Sequence, residues 1–338
     1  MIVDFLNALV IMLNFVVIPA TAYGAMLALG ALGVTLIYGI LRFSNFAHGD
    51  TMAFGTGITI LATWALQAAG ISFGPLPTAL LALPVGILVT IGVVLLTDRA
   101  VYRFYRKQRA APVILVIASV GVMFVMNAVT RFVIGPGEQV FADGSRFIIS
   151  AQGFKEATGL AEGLAFKVTQ GLTIGIAVIA VAVLFWFLNR TRTGKSMRAF
   201  SDNEDLALLS GINPERVVAV TWIIATTLAV IAGTLYGLDK SFRPFNYYQL
   251  LLPIFAAAVV GGLGNPLGAI AGGFLIAFSE VSVTYAFKKV LTYVLPESLA
   301  PDNLVQLLST DYKFAVSFAI LIAVLLFRPT GIFKGKAV

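Results

Sequence analysis

The chain has 338 residues, of which 59% are apolar and only 12% charged, with a net charge of +7 and a mean hydropathy of +0.94. A soluble domain carries about 25% charged residues, so a water-facing globule is excluded and the composition is that of a polytopic membrane protein. With no cysteine and one histidine, disulfides, thiolate nucleophiles and Cys- or His-rich metal centres are excluded as well.

Apolar runs predict an all-α membrane protein of about ten transmembrane or partial helices: 5–20, 21–41, 52–70, 78–97, 112–134, 169–189, 217–237, 251–263, 265–285 and 313–328. The opening "MIVDFLNALV" lacks the basic region of a cleavable signal peptide, so the first run is read as retained. Asn7 and Asn14 on that run suit hydrogen bonds between helices.

Between the second and third runs, "RFSNFAHGDTMAFG" (42–55) gathers Arg42, Asn45, His48 and Asp50. Asn45 and His48 can satisfy helix-end backbone groups that lipid would leave bare. Asp50 can cap a helix starting near Thr51, and Gly49 permits a tight bend. The alternative places Asn45 and His48 at a gate touching the passing solute. A proton relay lacks the run of intramembrane carboxyls it needs.

On the fifth run, Asn127 fits either packing between helices or the lining of a pathway, and Arg131 reaches toward the headgroups. Segment 190–216, "RTRTGKSMRAFSDNEDLALLSGINPER", follows the sixth run. Its "GKS" is not a phosphate loop: Asn189 stands where the motif requires glycine, and no strand precedes it. Ser201 and Glu204 have capping-box spacing, Asp202 and Asp205 accompany them in a first turn, and Leu206, Leu208 and Leu209 follow. Gly211 fits the left-handed position past the helix end, and Asn213-Pro214 restarts a helix. Two turns are too short to be stable alone in water, so this acidic-then-leucine element is expected either to dock on a partner or to lie on the headgroups.

The turn "GGLGNPLGAIAGG" (261–273) places Asn265 as N-cap and Pro266 at the first helical position; Gly268 and Gly272 form a GxxxG. This fits helix packing, or broken helix ends lining a cavity. Glu280, on the ninth run, is either a functional intramembrane carboxyl or one that reaches the interface or pairs with a lysine. "LIYGILRFSNF" (36–46) and "TLYGLDKSFRPFN" (234–246) end runs that cross in opposite directions, as an inverted internal repeat would.

Fourteen lysines and arginines fall in loops on the side of 190–216 and seven in the opposite loops. By the positive-inside rule, the first side is cytoplasmic, and ten crossings put both termini there. This placement in short loops between apolar runs fits membrane topology rather than nucleic-acid binding. Residues 1–338 read as one transmembrane domain with 190–216 as a cytoplasmic loop.

Four motifs, "GVTLIYGILRFSNFAHGDTMAFG" (33–55), "TGKSMRAFSDNEDLALLSGINPERV" (193–217), "AGTLYG" (232–237) and "VVGGLGNPLGAIAGG" (259–273), resemble in order the permease subunits of branched-chain amino-acid ABC importers, more closely the H-type subunit. The resemblance implies a bacterial inner-membrane permease with the ten-helix fold of the cobalamin-importer permease. It implies pairing with an M-type paralogue or a second copy, two cytoplasmic ATPases that hold ATP and magnesium, and a periplasmic solute-binding protein. The chain itself is then no enzyme and binds no cofactor. Segment 190–216 becomes the coupling loop, with Arg198, Ser201, Asp202, Asn203, Glu204, Leu206, Leu208 and Leu209 meeting the ATPase. Asn45, His48, Asn127 and Glu280 are the pathway or gate candidates. Loops 136–168 and 286–312 are long for the family. Urea, amide and sugar importers are related alternatives, and an autonomous secondary transporter is the competing class.

Overall fold

The computed structural model describes residues 2–295, 301 and 303–333; Lys334 and Lys336 of the expected basic tail, and part of loop 286–312, lie outside the described residues. Nine long helices are present among the described residues: α1 (Ile2–Leu41), α2 (His48–Ala68), α3 (Ala79–Lys107), α4 (Pro112–Ile134), α6 (Val168–Arg190), α9 (Pro214–Lys240), α10 (Pro244–Gly261), α11 (Pro266–Thr284) and α13 (Lys313–Phe327). Shorter helices lie between them: α5 (Ala151–Thr158), α7 (Arg192–Asp202), α8 (Glu204–Leu209) and α12 (Lys288–Val294). Every long helix except α2 is apolar enough to cross a membrane on length and composition, α13 when the helical turn from Thr310 that leads into it is included. Starts follow local chemistry: Pro112, Pro214, Pro244 and Pro266 open four helices, where the missing N–H costs nothing. Asn213 and Asn265 cap two of these, accepting from Arg216 N and Gly268 N.

The expected first two spans are one helix. Pro19 does not break it; the chain widens into a π turn over Leu13–Val17 and continues. The Thr21 hydroxyl donates to the Val17 carbonyl there, at 2.7 Å. Joining these runs lowers the expected ten long helices to nine and reverses the placement of the N-terminus. Asn7 and Asn14 accept from the backbone N–H groups of Glu162 and Ala165, so the start of α1 lies with the loop after α4. At the other end of the bundle, Ile332 N and Phe333 N donate to the carbonyls of Val260 and Gly261. Ile2 and Phe333 therefore lie at opposite ends of the bundle, where the charge pattern puts both ends of the chain at one. Residues 1–20 contain no lysine or arginine, so the charge rule had nothing to weigh there.

At the end away from the basic loops, α5 and a small antiparallel pair, β1 (Phe147–Ile149) with β2 (Phe166–Lys167), fold over the helices. Asp143 fastens this loop by accepting from Thr78 N and Oγ1 (2.7 and 2.6 Å) and from Gln67 (2.9 Å). Glu162 accepts from Lys289 and Tyr293 of α12. In the centre, α10 and α11 touch backbone to backbone: a β-carbon on Gly272 would lie 2.0 Å from the Ala257 carbonyl oxygen, and one on Gly268 2.2 Å from that of Gly261. The GxxxG thus serves helix packing. The faces left exposed are apolar, with Phe132 of α4, Trp186 of α6 and Phe327 of α13 all pointing outward, as for a protein whose solvent is lipid.

The repeat has a structural counterpart. Arg42 ends α1 and Ser241 ends α9, both with positive φ (57° and 68°). Each is followed by a fully buried phenylalanine, Phe43 and Phe242, that packs on a tyrosine, Tyr102 and Tyr247. The two joints lie at opposite ends of the bundle.

Gly272→Ala is expected to lower detergent-solubilised stability by roughly 1–3 kcal/mol through overpacking, whereas Gly121→Ala, with nothing within 4 Å, leaves the melting temperature unchanged. Burial pushes the Asp143 carboxyl up, but its hydrogen bonds from Thr78 and Gln67 outweigh this and hold it below the usual 3.8. Its stabilisation is therefore complete above that value and fades as pH falls through the folded pKa. Asp143→Asn should remove this part of the acid decline, read as melting temperature against pH.

Candidate functional site

The loop that closes the basic end is built from two helices rather than one. Thr191 caps α7 by accepting from Gly194 N, and Gly194 packs directly on the Phe187 carbonyl. Met197 and Phe200 bury themselves against the bundle. The expected capping box at Ser201 does not form: α7 runs on through Asp202, so Ser201 lies inside it, and Asn203 caps α8, accepting from Leu206 N at 3.0 Å; the Ser201 hydroxyl donates to the Gly39 carbonyl of α1 at 3.0 Å. Arg42 donates to the Ser201 carbonyl, closing a two-way tie between α7 and the end of α1. Gly211 takes the expected left-handed conformation (φ 80°), and Ile212 N closes on the Ala207 carbonyl.

This divides the sequence-derived residues into two groups. Arg198, bonded to Asn189, and Ser201 hold the loop in place, with Asp202 beside them. Asn203, Glu204, Leu206, Leu208 and Leu209 form the knob, which Ala207 anchors. Leu206 is 60% exposed and Leu209 84%. Three leucines on a six-residue helix at the basic end make an apolar surface that is left exposed among the described residues.

The polar joint after α1 folds back into the bundle. Asn45 accepts from Ala47 N and from the Tyr102 hydroxyl. Tyr102 stacks on Trp222, whose indole N–H donates to Asp98, which also holds Arg106. α2 starts at His48, not near Thr51. Asp50 is therefore not a cap: fully buried, it accepts from Asn127 of α4 at 2.6 Å, and its second oxygen has no partner among the described residues. The His48 ring lies against Gly33, where a β-carbon would come within 2.6 Å of Cε1. Asn45, His48 and Asn127 thus gather around the start of α2. Glu280 does not join them; it is buried at the opposite end of α11, accepting from Ser317 of α13 and facing Tyr23 and Lys313. Sequence reading missed Asp50 as a buried partner, and Asp98 and Trp222 altogether. An aspartate within a basic segment gives no local sign that a tryptophan 124 residues away will satisfy it.

Residues 17–325 match the family model described as branched-chain amino acid transport system / permease component. The chain belongs to this family. The high-affinity branched-chain amino acid transport system permease protein LivH of Escherichia coli is 31% identical over 316 residues, covering 91% of each chain. BraD of Pseudomonas aeruginosa, of the same description, is 30% identical, covering 91% of this chain and 92% of its own. Among solved structures, PsaBC from Streptococcus pneumoniae in complex with Fab aligns over 98% of this chain at 16% identity, with a TM-score of 0.43. Like its family, the chain is a multi-pass membrane transport subunit.

Asn127→Ala would leave both Asp50 oxygens unpartnered inside the bundle and is expected to cost about 1–3 kcal/mol. On an Asp50→Leu background the same change should cost well under half as much, measured by a double-mutant cycle in detergent.

Proposed function

We propose that this chain is the membrane-spanning subunit of an ATP-driven importer for branched-chain or related amino acids in a bacterial inner membrane, with its basic end in the cytoplasm. It works with a second permease, either an M-type paralogue or another copy, with two ATPases that bind ATP and magnesium, and with a periplasmic solute-binding protein. The exposed leucines of α8 carry this reading: an apolar knob on a short capped helix needs a socket, and the acidic residues Glu204 and Asp205 ahead of it suit a basic rim on the ATPase. Leu206, Leu208 and Leu209 fill the socket. Ser201 and Arg42 pass the ATPase movement to α1. The folded loops at the other end, fastened by Asp143 and Glu162, are the surface that faces the binding protein. The counterpart joints at Arg42 and Ser241 support halves related by inversion, as in the cobalamin-importer permease.

His48, Asn45 and Asn127, together with Asp50, form the polar stretch at the membrane interior that the solute passes; Glu280 fastens α13 to α11. Matches spanning nine-tenths of the amino-acid permeases favour amino acids over urea, amides or sugars. The two buried carboxyls, Asp50 and Glu280, are the observation that would favour an autonomous secondary transporter. Leu208→Asp and Glu204→Lys are expected to abolish solute-stimulated ATP hydrolysis in the assembled complex while the chain still inserts; unchanged hydrolysis would contradict the coupling role. The purified chain in liposomes without ATPases should move no solute.

A further inference from the structure

A groove of about 510 Å3 runs between α3 and α9 at the basic end. α3 arrives at that end and α9 leaves it, so two antiparallel ladders set the depth of each group. Arg103 of α3 is level with Glu215 of α9, which its Nε meets at 3.1 Å. One turn deeper come Arg99 and Ala219; below them lie Leu95 and Leu96, then Gly92. The α3 positions follow one another at intervals of three or four residues, so they share one helical face. At helical rise, Gly92 lies about 16 Å from Arg103 along the axis, close to the hydrocarbon depth of one leaflet. The face stays open and apolar: Leu88 and Leu96 are exposed, and a β-carbon on Gly92 would meet nothing within 4 Å.

The charges at the mouth do not cancel. Glu215 is paired with Arg103, and Asp98 is held by both terminal nitrogens of Arg106 and by the Trp222 indole N–H. Arg99 is exposed, with no ion pair or hydrogen bond among the described residues.

We propose that this groove binds one anionic glycerophospholipid, with a single net negative charge and a hydroxyl-bearing headgroup. Arg99, and the Arg103 N–H groups not turned to Glu215, donate to the phosphate. The Glu215 carboxylate accepts from a headgroup hydroxyl and turns away a second negative charge. Leu96, Leu95 and Gly92 pass an acyl chain toward the middle of the bilayer. A zwitterionic lipid would bring an ammonium that competes with Arg103 for Glu215, and would leave the Arg99 charge uncancelled. A soluble phosphate would leave the apolar face bare. Bound there, the lipid bridges the loop-side end of α3 and the start of α9. The leaflet that supplies it follows from the proposed orientation; the binding itself does not depend on it.

The purified full-length chain, with any subunits that stay attached, is examined by native mass spectrometry with added phosphatidylglycerol, phosphatidylethanolamine or phosphatidylcholine. One phosphatidylglycerol adduct should survive collisional activation that strips the two zwitterionic lipids. Arg99→Ala should lower its occupancy roughly tenfold, the scale of one lost charge-assisted hydrogen bond. Gly92→Phe should lower it severalfold by filling the acyl track, while Gly121→Phe, at an equally open glycine of α4, should not. Melting temperature verifies that each variant is folded. Equal retention of all three lipids, no retained adduct, displacement by soluble glycerol phosphate, or retention unchanged in Arg99→Ala or in Gly92→Phe would overturn the proposal. None of these readings involves ATP hydrolysis, so they are separable from the coupling role of α8.

Discussion

Arg42 donates to the Ser201 carbonyl, and Ser201 donates back to the carbonyl of Gly39. This reciprocal tie joins the loop at the basic end to the final turn of α1, and everything proposed for coupling depends on it. An exposed knob that moved with a partner but was not bonded to the bundle would simply swing. Here the knob hangs from α7 by Asn203, and α7 is fixed twice to the same turn of α1, whose second half is mostly buried. Both bonds involve backbone groups at a helix end, which have no intrahelical partner of their own. The joint therefore satisfies polar groups with the same atoms that, in the proposed coupling, would carry a displacement to α1.

What α1 can do with a displacement is set by how it is packed. It lies against α9, α10 and α11 with fully buried residues such as Leu27, Leu29 and Leu32. A β-carbon on Gly273 of α11 would come within 2.7 Å of the Ala28 nitrogen, and α10 meets α11 as closely at Gly268 and Gly272. Backbones this near have no side chains to rearrange between them. Such a group shifts as a body rather than yielding locally. The peripheral helices α4, α6 and α13 present broad apolar faces outward and are freer to be displaced relative to that body.

Sequence patterns gave the long helices because burial in lipid demands long apolar runs, and they gave the Asn-Pro starts and Gly211 because those signals are local. What they missed was decided at a distance. The Ser201–Glu204 spacing satisfies a capping rule, yet the hydroxyl went to Gly39, 162 residues away, and Asn203 took the cap. Asp50 stood correctly placed for a cap, yet α2 started earlier and carried the carboxyl inward to Asn127. The sequence pattern divides the first apolar stretch into two helices, because nothing in it marks a π turn that lets a single helix continue. With no basic residue before Arg42, charge could not correct that error.

The joints at Arg42 and Ser241 show how much the buried polar stretch depends on its setting. Both residues adopt a positive φ without being glycine, Arg42 in the left-handed helical region and Ser241 with an extended ψ, which is rare enough to require compensation from the surroundings. In each, the compensation is a phenylalanine driven into the interior one residue later. At the Ser241 joint, the chain turns at once into α10. At the Arg42 joint, it climbs inward and delivers Asn45, His48 and Asp50 among apolar helices. Tyr102 and Asn127 are placed to receive two of these three, and Gly33 makes room for the third. An added methyl at Gly33 would clash with the imidazole and displace it from the bundle. The second Asp50 oxygen is left without a hydrogen-bond donor among the described residues.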